Sequence, residues 1–204
     1  MLPGDTVHPN EPLLDVATVQ KVIGAGLARG ADFAEVFVED KRSSSAVLDD
    51  GRVEELTSGR DRGAGIRVVV GDSTGFAHTS DLSESGLIAA AQAAAAASRS
   101  AGEGTRAVDL DLLDAPAPNL VAVVPGDVLK ARKVDLLLTA DEAARATGGA
   151  ITQVSARYAD SRRRILVANS DGVLAADDQV KTLFAVSCVA SGDTGMQTGR
   201  ESVG

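Results

Sequence analysis

Two hydrophobic periods alternate along the chain, and the switches between them predict its elements. From Pro12 onward, Val16, Val19, Ile23 and Leu27 recur at spacings of three and four, the stripe of an amphipathic helix. Gly30 follows where a helix C′ residue in the left-handed region belongs. The period then becomes two: Ala34, Val36 and Val38 alternate with Phe33, Glu35, Phe37 and Glu39 over 33–40. Ser43–Leu48 and Arg52–Thr57 flank Asp49-Asp50-Gly51, a hairpin signal because glycine tolerates positive φ. Ala64, Ile66, Val68 and Val70 alternate again, and Gly71–Gly75 turns the chain into a short strand, Phe76–Thr79.

A second helix is expected from near Asp81, with Glu84 three residues later completing a capping box, and on through Leu87, Ile88 and Ala89–Ala97. A third is expected over Asp127–Thr147, stopping at Gly148-Gly149. Strand patterning returns at Thr152–Tyr158, Arg164–Ala168 and Lys181–Ala190. The resulting division is a flexible tail (1–11), a helix, β-meander and helix unit (12–100), a proline-containing connector (101–126) and a second helix-plus-meander unit (127–204).

The two units echo one another. Gly30-Ala31, Asp50-Gly51 and Gly71-Asp72-Ser73-Thr74-Gly75 are matched by Gly149-Ala150, Asp171-Gly172 and Gly192-Asp193-Thr194-Gly195, with the same 20-position interval from Gly51 to Gly71 and from Gly172 to Gly192. Internal duplication accounts for this spacing; two unrelated hairpins sharing common turn chemistry are the alternative. The fold class expected is α+β, helices packed on an antiparallel or mixed sheet.

Composition sharpens this picture. Of 204 residues 34 are Ala and 21 Gly, Trp is absent and Phe plus Tyr total five, so the core must be closely packed Val, Leu, Ile and Ala. The net charge of −9 repels phosphate backbones, and aromatic platforms for single strands are missing, so nucleic acid is not an expected partner. Anionic membrane surfaces are disfavoured likewise, and no apolar run approaches the ~20 residues of a spanning helix. The start Met1-Leu2-Pro3-Gly4-Asp5 lacks signal-peptide character, and the single Cys188 cannot form an internal disulfide, which together suit the cytoplasm.

Candidate chemistry is sparse. His8 and His78 lie 70 positions apart, outside any His-Glu-x-x-His pattern, so no metal site is expected in this chain. Cys188 alternates with Phe184, Val186 and Ala190 and reads as a small core residue. Gly63-Ala64-Gly65 leads into a strand, which argues against a dinucleotide loop, and Gly71–Gly75 has no following lysine to make a phosphate loop. The pairs Asp49/Asp50, Glu54/Glu55 and Asp177/Asp178 are acid–base candidates that read as solvated charges beside turns. Arg162-Arg163-Arg164 is expected at a hairpin tip. No residue is assigned a catalytic, cofactor-binding or metal-binding role.

Four segments carry a resemblance. Gly30–Val36, Leu48–Glu54, Gly63–Val68 and Thr74–Ser83, followed by Ala168-Asn169-Ser170-Asp171-Gly172, resemble in order and spacing the N-terminal region of TldD/PmbA proteins, peptidases also called modulators of DNA gyrase. Gly51, Gly65, Gly75, Phe76, Asp171 and Gly172 are the family-signature turn positions, and Gly75-Phe76 is closer to the TldD branch than to the PmbA (TldE) branch. The resemblance implies a cytoplasmic zinc metallopeptidase acting on unfolded peptides or peptide precursors as a dimer, with itself or a TldD/TldE-type partner. The family's zinc motif, His-Glu-x-x-x-His with a later cysteine, would lie beyond Gly204, so this chain would be a non-catalytic scaffold, peptide-binding or dimerisation part. A stand-alone peptide-binding or assembly module without chemistry, and a protein-level modulator of gyrase, are the alternatives.

Overall fold

The computed structural model describes residues 12–98, 107–113 and 121–204. Three helices, α1 (Val16–Leu27), α2 (Glu84–Ala97) and α3 (Lys130–Ala146), pack on one face of a seven-stranded sheet. Its strands are β1 (Phe33–Asp49), β2 (Arg52–Val70), β3 (Ser73–Thr79), β4 (Asp111–Leu112), β5 (Ile151–Asn169), β6 (Val173–Gly192) and β7 (Gly195–Val203). The order is β3-β2-β1-β5-β6, with β4 and β7 both on the outer side of β6; only the β4–β6 pairing is parallel. The fold is therefore α+β on a largely antiparallel sheet.

Each half runs helix, then meander, and the halves join through the antiparallel β1–β5 pair, Glu35 opposite Asn169 to Asp49 opposite Ser155. The shift that carries Gly51 onto Gly172 also carries Arg52–Val70 onto Val173–Ser191, nearly the span of β6, and Ser73–Thr79 onto Thr194–Arg200, within a residue of the start of β7. Gly51 (φ 77°) and Asp50 (φ 49°) form the two-residue turn between β1 and β2, and Gly172 (φ 93°) occupies the corresponding turn between β5 and β6. Positive φ at both Asp50 and Gly51 matches the twist of the paired strands, which is why Asp-Gly suits the β1–β2 turn; in the β5–β6 turn the glycine alone takes it.

Several expectations are corrected. The stretches 33–40 and 43–48 are one strand, as are Arg52–Thr57 with Ala64–Val70, and Thr152–Tyr158 with Arg164–Ala168. Arg162-Arg163-Arg164 consequently lies within β5, not at a tip, and Asp177/Asp178 lie within the first third of β6. The β3 strand begins at Ser73, and β4 and β7 were not expected. The N-cap of α2 is Ser83, whose Oγ accepts from Gly86 N; Asp81 supports it by accepting from Ser83 N at 2.9 Å. No capping box forms, because with Ser83 as N-cap the N3 position is Gly86 and Glu84 falls at N1, where its carboxylate accepts from Lys21 Nζ at 2.8 Å. Gly30 does take positive φ (78°), but two places after the C-cap Ala28. A 3₁₀ turn, Pro125–Asp127, precedes α3, which starts only at Lys130 because Val128 and Leu129 are extended. His8 and half of the connector (101–106 and 114–120) lie outside the described residues.

Two apolar clusters hold the helices to the sheet. The larger joins Val19, Val22 and Ile23 of α1, Leu87 and Ala91 of α2, and Val36, Val38, Ile66 and Val68 beneath them. Leu166, Ala168 and Leu174 from the second half complete it. The smaller packs Leu137 of α3 on Ala46, Leu48 and Ala156. The alanine run lets α2 approach closely: a Cβ at Gly75 of β3 would stand 1.9 Å from the Ala94 carbonyl oxygen. Helix-on-sheet docking thus fixes both the small helix face and the glycine beneath it.

Candidate functional site

The sheet has one covered face and one open face. On β1 the even-numbered Ala34, Val36, Val38, Ala46 and Leu48 are buried under helices, so the odd-numbered residues face the other way. There Arg67 lies over the Phe33 ring at 5.5 Å and pairs with Glu35 at 3.1 Å. Phe76, 62% exposed, covers Gly65: a Cβ at Gly65 would sit 3.2 Å from its ring. An aromatic laid across a strand glycine restores the cross-strand contact that the glycine lacks. The His78 ring stacks beside Phe76 with centroids 6.4 Å apart.

The signature positions do not converge. Gly51 and Gly172 occupy hairpin turns on strands β1 and β5 that run in opposite directions, Gly65 (opposite His78) and Phe76 (opposite Arg67) are diagonal neighbours on the open face, and Gly75 lies under α2. Around Asp171 the organising side chain is Asn169, whose Oδ1 accepts from Asp171 N (3.0 Å) and Val173 N (3.2 Å). Ser170 Oγ accepts from Ala34 N at 3.1 Å, tying this turn to the start of β1. These residues set backbone geometry.

Between the two apolar clusters the covered face carries polar side chains over a cleft of about 440 Å³. Its innermost feature is a buried ion pair, Lys133 Nζ to Asp160 Oδ2 at 2.5 Å, with both side chains 5% exposed. Lys133 also donates to Ser44 Oγ (2.8 Å), Ser44 donates to the same Asp160 oxygen (2.6 Å), and the ammonium lies 5.3 Å from the Tyr158 ring centroid. Burial first, then the Asp160 charge and hydrogen bond, push the Tyr158 hydroxyl up to about 12. A Ser–Lys pair suggests nucleophilic chemistry, but an ammonium held against a carboxylate has no lone pair with which to take the serine proton. The network pins α3 to β1 and β5.

Among the described residues no group of three or more His, Cys, Asp or Glu side chains is arranged to hold a metal ion. Cys188 is half-buried between Val154 of β5 and Gly199 of β7, not the core residue its alternation suggested, because β7 shields it with glycine. Glu54 and Glu55 are exposed on β2, whereas Asp178, 2% exposed, is paired with Arg162 and is no solvated turn charge. The donor set of the described residues does not fit a zinc ion, and no helix among them is long and apolar enough to cross a membrane.

Backbone groups are the sheet's other resource. Because β3 pairs only with Ala64–Val70, the outer edge of β2 from Arg52 to Gly63 has no partner strand among the described residues. On β6 the stretch between Leu174 and Phe184 is open in the same way, bounded by β4 and β7. Arg52, Glu54, Glu55, Arg60, Asp61 and Arg62 line the β2 edge, charges of the kind that deter aggregation while leaving N–H and C=O groups accessible.

Comparison with known proteins gives this architecture its kinship. Residues 34–98 match the family profile described as PmbA/TldA metallopeptidase domain 1, and residues 124–204 match the PmbA/TldA metallopeptidase central domain. A metalloprotease TldD homologue of Haemophilus influenzae is 28% identical over 175 residues, covering 85% of this chain and 36% of its own length. A metalloprotease of Methanothermobacter thermautotrophicus is 31% identical over 177 residues, covering 85% and 37%. In fold, a Thermotoga maritima structure described as a modulator of a DNA gyrase aligns with a TM-score of 0.72 at 15% identity, covering 91% of this chain and 42% of that one. TldE from Thermococcus kodakarensis aligns at 0.67 and 14%, with the same coverage. The chain spans little more than a third of the length of these curated relatives. Two consecutive domain matches, carried on one continuous sheet, place it in the PmbA/TldD metallopeptidase family.

Proposed function

We propose that this chain is the non-catalytic N-terminal part of a TldD-type zinc metallopeptidase, and that it engages an unfolded peptide by strand addition. The observation that carries the reading is the unpaired β2 edge from Arg52 to Gly63, which offers an extended chain a ladder of main-chain hydrogen bonds. Such a ladder grips peptides with little regard to sequence, as a protease of unfolded substrates requires. Zinc, the peptidase step and a dimeric partner belong in this reading to the longer protein of which the relatives are examples. The TldE likeness and the metalloprotease names of the relatives support it.

The test is made on the full-length product of the native gene. Cleavage of an unfolded casein-type substrate that is abolished by a chelator and restored by zinc is the expected result. Chelator-insensitive binding without cleavage would favour the stand-alone module instead.

A further inference from the structure

Across the middle of the covered face three arginines stand directly abreast on adjacent strands. Arg42 of β1 is opposite Arg60 of β2 on one side and Arg162 of β5 on the other. Like charges placed directly opposite in an antiparallel pair repel. The two outer guanidinium groups are turned aside: Arg60 grips Asp40 with Nε and Nη2 at 2.8 and 2.6 Å, and Arg162 grips Asp178 at 3.0 and 2.6 Å. Arg42, exposed and central, makes no hydrogen bond or ion pair within the described residues, although Asp40 feels its charge.

Arg42 lines the 440 Å³ cleft, and so does Lys130, whose Nζ donates only to the neutral Ser58 Oγ at 3.2 Å. The cleft's other cations are already matched with carboxylates, Lys133 with Asp160 and the two outer arginines as above. Asp127 is the remaining carboxylate of the lining; against Arg42 and Lys130 it leaves an excess of positive charge. Lys130 is also the first residue of α3, a 17-residue helix with no side-chain N-cap and no acidic residue in its first turn, so the positive helix end adds to that excess. The volume lies within the ~300–1,000 Å³ range of small-ligand sites.

We infer that this cleft is a binding site for an oxyanion, carboxylate or phosphate, held by the Arg42 fork with Lys130 as second cation. A guanidinium presents two parallel donors to either group, and an anion there relieves the repulsion along the arginine row. A peptide's C-terminal carboxylate and inorganic phosphate are the two sources of this chemistry; only the first rests on the peptidase reading, so the site stands or falls independently of it.

Calorimetric titration at low salt separates the sources, using acetyl-trialanine with a free carboxylate, the same peptide amidated, and inorganic phosphate. The free acid binding where its amide does not assigns a peptide carboxylate; phosphate binding while the acid does not assigns phosphate. In either case Arg42→Gln weakens binding about tenfold, the scale of one charge-assisted fork. Lys130→Gln weakens binding less. Failure of both anions to bind, or wild-type affinity in Arg42→Gln, would overturn the site.

Discussion

Two helices cover the first meander and a single one covers the second, although both halves run through their strands in the same order. The difference lies in what holds the helices down. The larger cluster contains 19 buried residues and draws on α1, α2, β1, β2 and the adjoining ends of β5 and β6, whereas the cluster under α3 contains four. Along α3 the buried stripe is Lys133, Leu137 and Asp141, one apolar residue between two charged ones. Lys133 is neutralised by Asp160, and Asp141 accepts from Arg145 at 3.2 Å while Arg145 also reaches Asp50 in the β1–β2 turn. One topology is thus stabilised by apolar burial on one side and by polar pins on the other, and the pins depend on complete pairing.

Breaking a pin has the largest expected effect. Lys133→Met leaves the Asp160 carboxylate buried without its partner and should cost about 4 kcal/mol, read from the urea midpoint. The double variant Lys133→Met/Asp160→Leu should recover most of that loss, since a buried pair is worth little over a well-packed apolar pair. No recovery would mean that the site depends on something other than the charge pair. On the apolar side, Gly75→Ala forces α2 away from β3 and should cost about 3 kcal/mol, the upper range for overpacking; an unchanged thermal midpoint would contradict the close contact. Leu137→Ala should cost about 2 kcal/mol, the lower end for a buried leucine, because the small cluster around it can collapse. A loss well beyond that in equilibrium unfolding would mean the second half is better packed than four buried residues indicate.

Acid has the smallest expected effect. The Arg60 hydrogen bond, opposed by burial and aided by the charges of Arg60, Arg42 and Arg62, holds the Asp40 carboxyl below the usual carboxylate range. A depressed folded value contributes stability above the unfolded-state pKa and loses it as pH falls through the folded one. Asp40→Asn should therefore shrink the stability difference between pH 7 and about pH 3, and salt should shrink it too because the pair is partly exposed. An unchanged acid slope in Asp40→Asn would show that the Arg60–Asp40 pair contributes nothing to the acid dependence.

The same uneven stabilisation explains what the sequence displays. Period-two alternation is legible where helices cover the sheet, at Ala34–Val38, Ala64–Val70 and Arg164–Ala168, because burial there demands one apolar side chain in two. It vanishes over 39–45 and 157–163, where the strands cross the polar cleft and both faces carry hydrophilic groups, so two long strands read as four short ones and the arginine run read as a tip. The exposed β7 has no apolar amplitude and is defined only by its pairing with β6. The Asp-Gly turns were legible because positive φ selects glycine locally. The β2 edge and the arginine row were not, since both exist only once register places Gly63 at the end of β3 pairing and Arg42 between Arg60 and Arg162.

A peptide-binding role for this chain requires β2 to receive an extended peptide. Amide hydrogen exchange on the 204-residue chain, with and without an excess of an unfolded peptide, shows whether it does. Protection appearing between Arg52 and Gly63, with the peptide recovered intact, is the result predicted. Peptide binding that protects other segments and leaves the Arg52–Gly63 amides exchanging as before would contradict it.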